Sequence, residues 1–485
     1  MIVNARCGPI AGTPRDTHTA YLGIPYARAP YPGHAFDVPQ PRRPFTTCFE
    51  ATDYGPSPAH PHVGQELFPD PVIAGDEALN LNVYAPTRSD GPSPVIVWLY
   101  GGGFFTGSNA SPWYDGAPFA RDGVVFVTPN YRLAAEGFMI LDDRVANRAL
   151  LDIIAALTWV RDNIAAFGGD PDNVTLAGQS AGATAALALT GAPGARGLFR
   201  RLAVMSAGTP LLAPLERMRQ LSADFADQLG LPPTRQAISA APTARRMALE
   251  QAWLPGEVQA PAESADERAR QAGRDALRWQ PTLDGEVVTT APDEALARPD
   301  AVDTLLIGTT TQEWNFILGD LTDAPSTDAC LKGMANLGFT ADDLATYLRE
   351  LDHDNCGNAL AQALTDRTFR RPARHIADTA ARAGIPTYTY QSAWPTPLFG
   401  AVHCADLPFV FDHLSAPQAP ELLGPDAPQH MAEHMHTALV RFAYGANPGW
   451  SAYTIGERRT MVFDHDSHEC TDGLAKTPNA LKTLT

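Results

Sequence analysis

The chain has 485 residues, 45% hydrophobic and 19% charged, a balance that suits a globular protein with a large core and excludes a disordered one. A net charge of −18 with no long block of like charge excludes nucleic acid and anionic membrane surfaces as expected partners. Six scattered cysteines (Cys7, Cys48, Cys330, Cys356, Cys404 and Cys470) without a Cys-x-x-Cys pair fit neither a disulfide framework nor a cysteine-rich zinc site.

The first stretch, "MIVNARCGPIAGTPRD", meets Gly and Pro too early to hold the apolar core of a signal peptide. No apolar run approaches the roughly 20 residues of a membrane span. The expectation is a soluble, reduced, cytoplasmic protein. The first hundred residues read as short strands and loops. "LNLNVYAP" (79–86) alternates apolar with polar, a strand signal cut off by Pro86. "PVIVWLY" (94–100) and "GVVFVTPNYR" (123–132) are continuous apolar runs, as expected of strands buried on both faces of a parallel sheet.

A long helix follows in "ANRALLDIIAALTWVRDNIAAFGG", where Leu150, Ile153, Ile154, Leu157, Val160 and Ile164 recur at helical spacing and Gly168 and Gly169 end it. "NVTLAG" (173–178) is another strand, and "SAGATAALALTG" opens another helix. Residues 211–300 read as irregular cap-like helices, and "DTLLIGTT" (303–310) returns to the sheet. Strand, helix, strand, helix predicts an α/β chain with a doubly wound sheet. No internal repeat or long linker divides it, so one domain over 1–485 is expected.

"AGQSAGAT" (177–184) sets Ser180 between Gly178 and Gly182, directly after a buried strand and before a helix. That is the setting of a nucleophile elbow, in which a tight turn lifts the hydroxyl above the sheet. A plain strand-to-helix turn with small residues fits the same eight residues equally well. "YGGGFFTG" (100–107) adds three consecutive glycines after the strand 94–99. Such a loop is costly to order and makes sense where N–H groups must approach a ligand unobstructed. A flexible loop or a phosphate cradle is the alternative, the latter weakened by the missing Gly-Lys-Ser/Thr ending.

With these residues in view, the sequence resembles the type-B carboxylesterases, the family of the cholinesterases and broad-range bacterial esterases. The resemblance covers nearly the whole chain and rests on "YLGIPYARAP", "DEALNLNVYAP", "VWLYGGGFFTG", "NYRLAAEGF", "AAFGGDPDNVTLAGQSAGA", "FRRLAVMSAG", "PTLDGEVV", "LLIGTTTQEWNF" and "GAVHCADLPFVF". It implies the α/β-hydrolase fold, a large, mostly parallel twisted sheet with helices on both faces. Helical insertions around 211–300 and 320–400 would form a gorge over the active site.

The resemblance also implies a triad of Ser180 as nucleophile, Glu313 as acid and His403 as base, in that chain order. Gly102, Gly103 and Ala181 match the oxyanion donors. Gln179, Ser206 and Asp406 match residues around the triad, and Arg132 with Asp152 a structural ion pair. The activity implied is hydrolysis of a small-molecule ester through an acyl-enzyme, with no cofactor and no metal.

Departures from the family pattern carry expectations of their own. Ala78 stands where secreted members carry a cysteine, and Ala35 replaces an arginine of an ion pair. Ala146 and Ala149 replace glycines, tolerable if the backbone there is helical. Gln179 replaces the glutamate of cholinesterases, and "QELFPDPVIAG" offers no tryptophan for a quaternary ammonium, so choline esters are expected to be poor substrates. Ala213 leaves room for a larger acyl group, with Trp314, Phe316 and Ile317 as apolar lining.

Three rival readings remain at this stage. "HMAEH" (430–434) matches a zinc-protease pattern, whereas its apolar stripe suits a surface helix with solvated histidines. A cholinesterase-like binding protein would have lost the serine. An amide, a carbamate or a specialised ester would use the same triad. Monomer and homodimer are both compatible, since the helix 428–444 can face a partner or its own core.

Overall fold

The computed structural model describes residues 1–28, 33–61, 68–88, 90–142, 145–254, 264–272, 278–315, 324–351 and 355–475. The N-terminal strands are β1 (Ile2–Ala5), β2 (Gly8–Pro14) and β3 (His18–Pro25), followed by the short pair β4 (Ala27–Arg28) and β5 (Gln40–Pro41), then β6 (Phe49–Ala51). The core of the sheet comprises β7 (Asn80–Pro86), β8 (Ser93–Leu99), β9 (Val125–Pro129), β10 (Gly169–Gln179), β11 (Arg201–Met205), β12 (Thr304–Thr310) and β13 (Thr387–Ser392). It closes with β14 (Arg459–Phe463) and β15 (His468–Thr471).

Apart from β4 and β5, these strands form one sheet in the order β1-β2-β3-β7-β9-β8-β10-β11-β12-β13-β14-β15, with β6 beside β2. Every pairing from β9 across to β14 is parallel, and the two flanks are antiparallel apart from β6, which pairs with β2 in parallel. The continuous apolar runs explain this. In β8, Val95, Val97 and Leu99 feed one buried cluster while Ile96 and Trp98 feed the other, so both sheet faces are covered. The helix Arg148–Asn163 lies in the first layer and Gln429–Ala443 in the second.

Strand β7 falls where the alternation of apolar and polar residues places a strand, and Asn80 and Asn82 within it are as buried as their apolar neighbours. The reason is a buried amide network. Asn82 accepts from the Gly23 N–H at 2.9 Å and donates to the Asn109 carbonyl at 3.0 Å, while Asn80 donates to Pro56 at 2.8 Å. Polar side chains in the core are tolerated because each finds partners. Pro86, expected to end the strand, is its last residue.

Arg132 and Asp152 form the predicted ion pair with both side chains fully buried. The guanidinium reaches both carboxylate oxygens, at 2.8 and 2.7 Å, and donates to the Ala35 carbonyl at 2.9 Å. Ala149 lies inside the helix Arg148–Asn163, whereas Ala146 lies before it, ahead of Asn147 at φ 55, so only Ala149 falls on the helical backbone that the sequence reading asked for. The stripe Met431, Met435, Leu439 and Phe442 is buried against the chain's own core. His430 meets the His465 carbonyl at 2.8 Å, and His434 packs edge-on against Phe463, 5.0 Å between ring centres.

Candidate active site

The carboxyl ends of β8, β10, β12 and β13 bring the predicted residues to one rim of the sheet. Strand β10 ends at Gln179, and the helix Ala181–Thr190 begins one residue after it, leaving Ser180 alone in the turn at φ 56. No β-branched or bulky residue adopts that angle readily. The flanking glycines are there for room. A methyl group on Gly182 would stand 2.1 Å from the Leu99 carbonyl oxygen, and one on Gly178 would stand 2.6 Å from the Gly182 backbone. The Ser180 N–H is anchored to the Met205 carbonyl of the neighbouring strand at 2.9 Å.

Glu313 and His403 sit on the loops after β12 and β13. The His403 N–H donates to the Glu313 carbonyl at 3.1 Å and the Gln312 N–H to the Ala401 carbonyl at 3.0 Å, which holds the two loops side by side. Their side chains meet: Nδ1 of His403 lies 2.5 Å from Oε2 of Glu313. The other carboxylate oxygen accepts the Thr310 N–H at 2.8 Å. Glu313 is fully buried and His403 nearly so. Burial pushes the imidazole pKa down, but the Cys404 sulfur and the Glu313 carboxylate more than reverse this and hold it well above its ordinary value.

The far nitrogen of the ring, Nε2, is 3.2 Å from the amide nitrogen of Gln179, the residue next to Ser180. That amide also donates to Cys404 Sγ at 3.1 Å. Ser180 makes no hydrogen bond to His403 in this conformation. The ring nitrogen that Glu313 leaves open is thus met by Gln179, the residue before Ser180 in sequence.

Gly102 and Gly103 adopt φ 112 and 61 in the loop after β8. Among the described residues, the N–H groups of Gly102, Gly103 and Ala181 have no hydrogen-bond partner within the chain. Asp406 is fully buried and takes a hydrogen bond from Tyr390 at 3.2 Å. Burial raises its pKa to about 6, with Glu313 adding to the rise and His403 opposing it. Ser206 is buried at φ 52, its N–H bonded to the Gly308 carbonyl at 2.8 Å.

Of the expected pocket, Trp314 lies nearly parallel to His403, 5.8 Å between ring centres. Ala213 is buried in a backbone bridge to Thr282, and none of its bonds reaches the three side chains. Phe316 and Ile317 lie outside the described residues. Two neighbours of the site escaped the sequence reading. Phe369 stands 4.9 Å from the His403 ring and 5.3 Å from Trp314, on a π-helical turn, Asp366–Arg370, within a longer helix. Such turns recur at functional sites, but nothing in the residue pattern announces one. Cys404 follows the histidine at φ 68, and its identity alone gave no signal.

The sequence model of the carboxylesterase family matches residues 1–478. The chain belongs to that family. It is 31% identical to the para-nitrobenzyl esterase of Bacillus subtilis, over 96% of this chain and 95% of that one. The phenmedipham hydrolase of Pseudarthrobacter oxydans is 27% identical over 98% and 97%. Among solved structures, a Geobacillus stearothermophilus carboxylesterase superposes with a TM-score of 0.84 at 32% identity, covering 98% of both chains. A PNB esterase structure gives 0.80 at 29% identity, again covering 98% of both. The fold is that of the α/β-hydrolases, and the carboxylesterase is a carboxylic ester hydrolase.

Proposed function

We propose that Ser180, His403 and Glu313 carry out ester hydrolysis as nucleophile, base and acid. The observation that carries this reading is the buried 2.5 Å contact between His403 Nδ1 and Glu313 Oε2, one residue away from the Ser180 turn through Gln179. Glu313 holds the ring with Nδ1 protonated and Nε2 free to accept. Once Gln179 yields Nε2, that nitrogen takes the Ser180 proton as the hydroxyl oxygen attacks the ester carbonyl. The carbonyl oxygen, now an anion, is held by the N–H groups of Gly102, Gly103 and Ala181, the last at the positive end of a helix. The imidazolium then gives its proton to the leaving alcohol, and an acyl-serine remains. Water, deprotonated by the same imidazole, cleaves it and restores the serine.

Trp314 and Phe369 form an aromatic wall beside His403, which suits a neutral substrate with an apolar acyl group. Nothing cationic is favoured by Gln179, a neutral side chain. The chain is read as one domain whose helical segments around 211–300 and 320–400 roof the site. Its six free thiols suit a reducing, cytoplasmic setting. A panel of p-nitrophenyl esters of graded acyl length tests the assignment, with phenmedipham added to probe other bonds. Short and medium chains are expected to turn over best, and Ser180→Ala to lose at least about a thousandfold in kcat. Unchanged turnover in Ser180→Ala would move the site elsewhere.

A further inference from the structure

The loop that carries Gly102 and Gly103 contains three consecutive glycines, so it has little stiffness of its own. An oxyanion donor has to stand within about 0.5 Å of its working position. Inside the loop, the Gly102 carbonyl accepts from the N–H groups of Phe105 and Thr106, at 3.1 and 3.0 Å. Thr106 is thus the internal prop of the turn.

Its hydroxyl donates to Oδ2 of Asp70, and the next N–H, that of Gly107, donates to the same oxygen at 3.2 Å. Asp70 lies in a distant stretch of chain that is itself stitched to the far side of the loop. Ser108 donates to the Pro71 carbonyl at 3.1 Å and Ser111 to the Pro69 carbonyl at 2.8 Å. Beneath them, Ser57 and Ile73 exchange bonds that fix residues 71–73 in turn. The buried His60 side chain also comes near, with its Nδ1 3.9 Å from Asp70 Oδ2.

We propose that Asp70 is a positioning residue for ester hydrolysis: its carboxylate clamps Thr106 and Gly107 and thereby sets the Gly102 and Gly103 N–H groups. The inference rests on the reading of those two glycines as oxyanion donors. Asp70 touches no reacting atom. Its effect is exerted in the transition state, where the donors act, so it belongs to kcat and leaves KM nearly alone.

The test compares Asp70→Ala, Asp70→Asn and Thr106→Val with the parent on p-nitrophenyl acetate, with thermal unfolding recorded for each. Asp70→Ala is expected to lose about tenfold or more in kcat with KM within about threefold, as when an oxyanion donor is weakened. Asp70→Asn keeps an accepting oxygen and is expected to recover most of that loss. Binding of a trifluoromethyl ketone, whose adduct carries an oxyanion, should weaken in Asp70→Ala by a similar factor. The acidic limb of the pH profile should stay in place, because Glu313 and His403 are untouched.

Full kcat in a folded Asp70→Ala overturns the proposal. So does equal loss in Asp70→Ala and Asp70→Asn accompanied by a lowered unfolding midpoint, which marks a purely structural role. If Asp70→Ala does not fold, Thr106→Val decides: unchanged kcat overturns the clamp and a selective kcat loss supports it. An active Ser180→Ala would instead overturn the underlying assignment of the site.

Discussion

The side-chain amide of Gln179 lies 3.2 Å from Nε2 of His403, on the ring nitrogen that Glu313 does not touch. Gln179, the residue before Ser180, therefore occupies the acceptor site that the proposed mechanism gives to the serine hydroxyl. A carboxylate there would favour the charged ring, because an opposite charge at this distance stabilises it. Gln179→Glu is expected to move the acidic limb of kcat/KM upward by about one pH unit. A limb that stays in place or moves down would show that Gln179 does not face the working nitrogen.

His403 must be neutral to accept a proton, and its pKa stands well above the ordinary value of about 6.5. Activity should therefore rise with pH through a single ionisation above 6.5 and be low at pH 6. A pH-rate profile on a neutral ester checks this. A flat profile between pH 5 and 8 would contradict the role of His403 as base.

Stability should run the other way. Burial raises Glu136 and Glu250 to about 7, against opposing contacts from Arg246 and from the Ala135 N–H respectively, and raises Asp406 to about 6. A carboxyl whose folded pKa is raised stabilises the fold below its unfolded value of about 4 and loses that contribution as pH rises through the folded value. The raised His403 acts in the same sense, its contribution fading above about 6.5. The unfolding midpoint is expected to fall between about pH 5 and 8, in the window where activity climbs. A midpoint rising across that window would refute the protonated state of these buried carboxyls.

Phe369 packs beside both the His403 and Trp314 rings, and a methyl group built on Gly208 would stand 3.4 Å from it. Phe369→Ala removes that wall. Relative kcat/KM for longer acyl chains over acetyl is expected to rise by about tenfold, the scale of one or two methylenes accommodated in an apolar pocket. An unchanged chain-length profile would place the acyl group elsewhere.

Much of this was legible in the residues, and the exceptions have physical reasons. Buried parallel strands announce themselves as unbroken apolar runs, so β8, β9 and β12 were placed within a few residues. The pairing of Glu313 with His403 came from motif resemblance, since no periodicity links two loops so distant in sequence. Alternation over 79–86 locates β7 but not the burial of Asn80 and Asn82, because their amide network is closed by residues far away in sequence. Phe369 and Asp70 were missed because a π-turn and a loop-to-loop clamp leave no mark in local sequence.

The proposed hydrolysis requires the hydroxyl oxygen of Ser180 to become acylated. A fluorophosphonate probe followed by intact-mass and peptide analysis reads this directly. One adduct per chain, confined to the peptide containing Ser180 and formed together with full loss of esterase activity, is the predicted result. An adduct on another residue, or full activity in a protein labelled at Ser180, would contradict it.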